Sequence, residues 1–461
     1  MNNSAIQRRR GREVASAMIQ RIKNKASILR ADPHMQEVAR GTMLAFVLKV
    51  AGSGLAFGFN VAVARLLGAE GAGLYFLALS VTAIGSVIGR VGLDNSLLRF
   101  VATHATHGEW DKVQAVHALG MRLAVIVSGA VSLIGFFAAG WMAEALFHKP
   151  ELTEPLRWMS LSILPFAILN LQAQSLKGLK RIRDAMLLQS IGVPLIGLLL
   201  IWPLANAAGV EGVSWGYLAA TTLVALIGIW AWRNAAAGGA EGISHYPFAD
   251  LWVSAKPLFI ISLMNTSLTW MPLLLLGMWV SAAEVGIFGA ATRLALLVSF
   301  LLITLNNVVA PKFAEFYAKG ELQAMAQLAR RSAAMLTLLV SPLFLLLFIY
   351  SEETMGLFGP EFTAGGTILA ILLGGQLVNV VTGSVSFLLM MSGNEKTMKI
   401  ITIASVLLQL ALMLTLAPLI GGVGAAVASA SALAAKNLLS VYAVYRKLGL
   451  VTIPSVQMLF K

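Results

Sequence analysis

The sequence predicts an all-α integral membrane protein with about twelve transmembrane helices in two six-helix bundles, N- and C-termini cytoplasmic. Three observations predict this. The chain is 58% hydrophobic and only 12% charged, against about 25% charged residues in a soluble domain, and a soluble fold of this size cannot hide that much apolar surface. Its apolar residues gather into stretches long enough to span a bilayer. Its basic residues fall on alternate sides of those stretches.

The stretches run over roughly 42–66, 72–93, 119–143, 155–176, 185–206, 212–233, 257–280, 283–310, 332–351, 364–391, 398–418 and 421–445. Gly, Pro and charge clusters such as "HKPELTEP", "KGLKRIRD" and "SGNEKTMK" separate them. With the N-terminus inside, 27 of the 34 Lys and Arg residues lie on the cytoplasmic side and three (Arg65, Lys149, Arg157) on the other. Four lie within spans: Lys49, Arg90, Arg293 and Lys436. A miscounted helix would scramble the alternation beyond it.

The domain reading follows. Residues 1–40 are a basic cytoplasmic segment ("QRRRGR", "RIKNK") with no apolar h-region, so not a signal peptide. Val14, Met18, Ile22 and Leu29 stand near helical spacing and read as an interfacial helix on anionic lipids or as a disordered basic tail. Residues 41–233 are the first bundle, 234–256 a cytoplasmic linker, 257–446 the second bundle and 447–461 a cytoplasmic tail. The net charge of +13 reflects this sidedness and predicts no nucleic-acid partner. With no cysteine there is no disulfide and no thiolate metal site.

The two halves echo one another. "LLGAEGAGLYFLA" (66–78) resembles "WVSAAEVGIFGAA" (279–291), matching Gly73 to Gly286 and Ala69 to Ala282. "PLANAAGVEGVSWG" (203–216) resembles "PLIGGVGAAVA" (418–428), matching Gly212 to Gly424, and "LKGLKRIRD" resembles "MSGNEKTMK", matching Gly178 to Gly393. Three echoes at nearly one offset predict a duplicated six-helix unit. Six is even, so both copies insert the same way up, around an axis along the membrane normal.

"ARLLGAEGAGLYFLALS", "VGLDNSLLRFVA" (91–102), "SAAEVGIFGAATRLA" and "KNLLSVYAVYRKLGL" resemble the bacterial polysaccharide or O-antigen flippase family. That family belongs to the multidrug, oligosaccharidyl-lipid and polysaccharide exporter superfamily, and the likeness covers roughly 41–450. It implies a MATE-like pair of bundles around a cavity that opens alternately to each side. The implied cargo is an undecaprenyl-diphosphate-linked oligosaccharide, the implied location the bacterial inner membrane, and the implied partners other polysaccharide-assembly membrane proteins. In the related lipid II flippases, basic residues on the first, second and eighth helices line the cavity; Lys49, Arg90 and Arg293 match by helix.

The charges within the spans are consistent with that cargo. None of the 21 Asp and Glu residues falls near the middle of a span, which suits a cation-coupled multidrug antiporter poorly. Lys49 and Arg293 are expected near mid-membrane, where a charge costs at least ~2.5 kcal/mol unless it faces a cavity or partner. An anionic diphosphate would answer both, and an Arg fork binds its oxygens bidentately. On a helical wheel Gly286, Arg293, Phe300 and Thr304 share one line and Asn307 lies close by. Arg90 and Lys436 can snorkel toward the inner surface, and Arg65 sits at the outer mouth, where it can guide cargo or pair with Glu70. Asn265, Gln376 and Asn379 form polar stripes that can contact sugars or glue helices. Pro165, Pro194 and Pro272 are expected to kink their spans.

No G-x-x-x-x-G-K-[ST] loop occurs, and "GAEGAG" lacks the strand–helix context of a dinucleotide site. His104 and His107 have no third ligand and are placed in a solvated loop between the second and third spans. No cofactor or metal is expected. A membrane polymerase or glycosyltransferase would need a sizeable extramembrane loop, and the longest outer connection is "SEETMGLFGPEF".

Overall fold

The computed structural model describes residues 33–236 and 246–453, without the side chains of 33–42 and 307–308. The N-terminal residues 1–32, most of the expected amphipathic segment, lie outside it. The backbone of 33–40 is helical and runs without interruption into the first span.

The helices are α1 (Pro33–Arg90), α2 (Leu93–Thr106), α3 (Trp110–Trp141), α4 (Thr153–Leu161), α5 (Ile163–Gly178), α6 (Ile182–Met186) and α7 (Val193–Ala236) in the first half. The second half holds α8 (Phe248–Leu276), α9 (Ala282–Ala318), α10 (Leu322–Ile349), α11 (Ser351–Met355), α12 (Gly366–Thr382), α13 (Val385–Met391) and α14 (Glu395–Leu448). Among the described residues, nine helical stretches are long and apolar enough to cross a membrane.

Three of the nine, ending in α1, α7 and α14, are about twice spanning length and leave helical geometry midway. The breaks fall at Gly68, at Ala208–Gly209 and at Ile420–Gly421. At the last two the limbs fold back on each other. A Cβ on Gly212 would overlap the Leu204 carbonyl, and one on Gly424 the Leu416 carbonyl. The glycines at the breaks take φ 55° and 57°, left-handed values that cost a side chain roughly 1–2 kcal/mol.

The duplication is written in the backbone. Gly209 and Gly421 are 212 residues apart, as are Gly108 (φ 72°) and Gly320 (φ 71°), which close matching turns. The echo of Gly178 with Gly393 needs correcting. Gly393 (φ 73°) has its conformational counterpart in Lys180 (φ 60°), while Gly178 packs beneath Val101.

The turns gather at two ends. At the hairpin end Arg65 Nε donates to the Leu357 carbonyl (2.8 Å), the Ala69 amide to Glu361 (2.8 Å) and Lys149 Nζ to the Gly277 carbonyl (2.7 Å). Glu284 accepts from the Gly422 amide at 2.6 Å. The carboxylates of Glu361 and Glu284 thus cap limbs that start with free amides. The opposite, basic end joins the halves through side chains. Arg99 and Ser96 both reach Ser254 Oγ at 3.0 Å, and Phe100 stands edge-on to Tyr246. There His104 and Lys112 bond the two oxygens of Glu109 and hold its carboxyl down to about 2. His104 itself lies in α2, a helix buried along Leu93, Leu97 and Val101, not in the expected loop.

Exposed Trp141, Trp202, Trp279 and Tyr350 ring the hairpin end, and Trp230, Trp252, Tyr442 and Tyr445 the basic end. Two such belts mark membrane–water boundaries. Between them Leu199, Phe137 and Leu339 stand exposed, as lipid-facing residues do.

The halves meet closely at the two stretches of the first echo, a contact the echo itself does not foretell. A Cβ on Gly73 would overlap the Ala282 carbonyl, and one on Gly286 the Ala69 carbonyl. Each echoed residue touches its counterpart's partner, the reciprocal contact a two-fold axis generates. We predict that Gly73→Val and Gly286→Val each destabilise the protein by about 1–3 kcal/mol through overpacking, read as a lower melting temperature in detergent. Wild-type melting in both would show that the seam is not tightly packed.

Candidate functional site

Three adjoining chambers run across the molecule, one within each half and one at the seam between them. The first, about 300 Å³, is lined by Lys49, Asn60, Tyr75, Gln189, Tyr217 and Trp270 among others. The central one, about 230 Å³, holds Arg293 with Asn60, Trp270, Thr269, Phe288 and Thr292. The third, about 670 Å³, is lined by Asn265, Thr269, Gln376, Gln409, Ser429 and Lys436 among α8, α9, α12 and α14. Asn60 and Trp270 are common to the first two, and Thr269, Phe288 and Thr292 to the last two. No Asp or Glu lines any of them.

Arg293 is brought to the seam by α9, eleven residues beyond its start at Ala282, about 16 Å of helix. Its Nε donates to Asn60 Oδ1 at 2.6 Å, across to α1, and its Nη1 to the Gly289 carbonyl at 2.8 Å. The guanidinium lies over the Phe76 ring, 3.6 Å from the centroid, a cation–π contact worth roughly 0.5–2 kcal/mol. Nη2 has no partner among the described residues and is not sequestered. One arm of the fork is thus clamped and the other is left to the central chamber.

Lys49 lines the first chamber from the first limb of α1. The first helix begins before residue 42, so Lys49 lies nineteen residues from the Gly68 break, about 28 Å along the helix. That places it on the half of this limb nearer the basic end. Lys49, Ser53, Ala56 and Asn60 form one stripe of α1 facing the first chamber. Arg90 lines none of the three chambers; it pairs with Asp94 at 3.3 Å and bonds the Ser86 carbonyl. Arg65 does not pair with Glu70; it docks on Leu357 at the hairpin end. Lys436 lines the third chamber, as do Asn265 and Gln376. Asn379 is spent between Gln376 and Asn437, joining α12 to α14. The side chain of Asn307 lies outside the described residues.

Sequence reasoning missed Asn60, Gln409 and the Lys177–Gln189 hydrogen bond (2.6 Å) beside the first chamber. Asn60 and Gln409 were detectable as lone amides in apolar runs, "GFNVAV" and "LLQLAL". Pro194 follows a π-helical stretch, Leu187–Gly192, where a kink belongs.

A family model described as polysaccharide biosynthesis protein matches residues 38–317. The Haloferax volcanii protein named "Probable low-salt glycan biosynthesis flippase Agl15" is 24% identical over 409 residues, covering 87% of this chain and 82% of that one. Its "Probable flippase AglR" is 20% identical over 69% of this chain and 67% of its own. Among solved structures, an inward-facing multidrug resistance MATE family transporter matches with a TM-score of 0.74 at 14% identity, over 88% of this chain and 98% of that chain. The lipid II flippase MurJ, inward closed, matches at 0.71 and 13%, over 91% and 89%. Likenesses this distant establish the MATE-like, all-helical membrane fold.

Asn60→Leu should cost about 1.5–3 kcal/mol, the worth of a hydrogen bond to a charged group, measured by unfolding of the purified protein. In an Arg293→Leu background it should cost markedly less, since the two residues are coupled. Equal costs in both backgrounds would contradict the clamp.

Proposed function

Because the chain belongs to the polysaccharide biosynthesis protein family, we propose that it is a flippase moving an undecaprenyl-diphosphate-linked oligosaccharide across the cytoplasmic membrane by alternating access. The observation that carries this reading is the unclamped arm of Arg293 in a chamber with no carboxylate on its walls. A guanidinium there needs an anion, and a diphosphate supplies oxygens in the geometry its fork accepts. The lipid tail stays in the bilayer while the glycan occupies the neighbouring chambers.

In this reading each doubled helix is two crossings, giving twelve in all. The basic end is cytoplasmic, with both termini there, and the hairpin end is external. The bundles comprise 41–233 and 257–446, joined by a cytoplasmic linker. The glycine contact at the hairpin end closes the external side and parts when the cavity opens outward. The membrane is the bacterial inner membrane, where anionic lipids and other polysaccharide-assembly proteins are its neighbours.

The second reading, a cation-coupled multidrug antiporter, is favoured by the likeness to the MATE transporter. The chambers speak against it, since their charged lining residues are Lys49, Arg293 and Lys436 and a cationic drug would meet like charge. Arg293→Ala should abolish glycan export with membrane abundance unchanged, and Arg293→Lys should restore it only in part. Undiminished export by Arg293→Ala, or resistance to quaternary ammonium compounds conferred by the wild-type protein, would point to the other reading.

A further inference from the structure

We propose that the third chamber receives an acidic sugar of the cargo, its carboxylate on Lys436 and its hydroxyls on the surrounding amides. This rests on the flippase reading and narrows it from any glycan to one that carries a second negative charge apart from the diphosphate. The chamber is the largest of the three, about 670 Å³, within the range of small-molecule sites. Lys436 and Ser429 stand one heptad apart on one face of the second limb of α14 and both line it. Lys436 Nζ has neither a hydrogen bond nor an ion pair to any of the described residues, and Lys436 is the one charged residue on the chamber wall.

The amides point the same way. Gln409 is only 1% exposed, its Nε2 donates to the Leu268 carbonyl at 3.2 Å, and its Oε1 has no partner. A buried unpaired carbonyl costs about 1–3 kcal/mol, and a sugar hydroxyl would satisfy it. Gln376 is 8% exposed, while Asn265 and Thr269 on α8 stand open on the opposite wall. Such walls offer donors and acceptors to a polyol and a single cation to a carboxylate.

Arg293 and Lys436 face different chambers, which leaves Lys436 available to a second charge. Arg293 does not line the third chamber, and Lys436 does not line the central one. A diphosphate held by the Arg293 fork leaves Lys436 unanswered, and an unpaired ammonium within the membrane is costly. A glycan with a carboxylate at the next position answers both cations. The headgroup of an anionic phospholipid shares this chemistry, so the test separates the two sources.

The full chain in phosphatidylcholine nanodiscs is titrated with undecaprenyl diphosphate bearing a disaccharide ending in glucuronate, and with its glucose-ended counterpart. The glucuronate cargo should bind about tenfold tighter, the worth of one charged hydrogen bond. Lys436→Gln should erase that difference while keeping the affinity for the glucose cargo, which also shows that the variant is folded; Lys436→Arg should retain most of it. Equal affinities in the wild type, or equal weakening of both cargoes by Lys436→Gln, would overturn the proposal and leave the flippase reading standing. A preference that disappears when phosphatidylglycerol is added would assign Lys436 to lipid and overturn it too. Binding of neither cargo by the wild type would overturn the flippase reading along with it.

Discussion

A guanidinium lodged between two helical bundles has to be answered by something other than water, and much of the seam is built to answer it. Asn60 reaches across from α1, the Gly289 carbonyl bends to it from one turn back, and Phe76 lies flat beneath it. Each contact holds part of the positive charge, and none is a carboxylate. Neutral partners fix the arginine's position without cancelling its charge, which an acid would do. The seam thus holds a cationic centre whose partners are all neutral.

The seam can be this close because glycine removes the side chains from it. Gly73 and Gly286 let two backbones touch at the hairpin end, as small residues do wherever membrane helices approach closely. Arg293 lies two turns beyond Gly286 on the same face of α9. The contact that seals one end therefore also sets the height of the charge. A duplicated unit provides such a contact economically, since one turn used twice meets itself across the axis.

Much of this was legible in the residues. Apolar run lengths locate the helices, and the echoed Gly212 and Gly424 stand three residues past the breaks at Gly209 and Gly421, while the echo of Gly73 with Gly286 marks like turns without foretelling their contact. What escaped notice has physical reasons. α2 reads as a loop because its polar face carries His104 and Arg99, while its buried face holds Leu93, Leu97 and Val101 with the polar Ser96 among them. The Gly178 echo failed because a lysine can hold a left-handed turn at a modest cost, so composition alone misplaced the counterpart of Gly393. Pairing with Glu70 misled for Arg65, since a carbonyl on a distant turn is invisible to hydropathy. Asn60 was overlooked as a lone amide whose importance lies entirely in a residue 233 positions away.

The account stands on an anion completing the coordination of Arg293. A cryo-electron microscopy structure of the full chain with an undecaprenyl-diphosphate-linked glycan tests it most directly. Diphosphate density within hydrogen-bond distance of Arg293 Nη2, with Asn60 still holding Nε, is the predicted result. A diphosphate bound elsewhere, with the central chamber empty and both ends of the guanidinium held by protein, would contradict it.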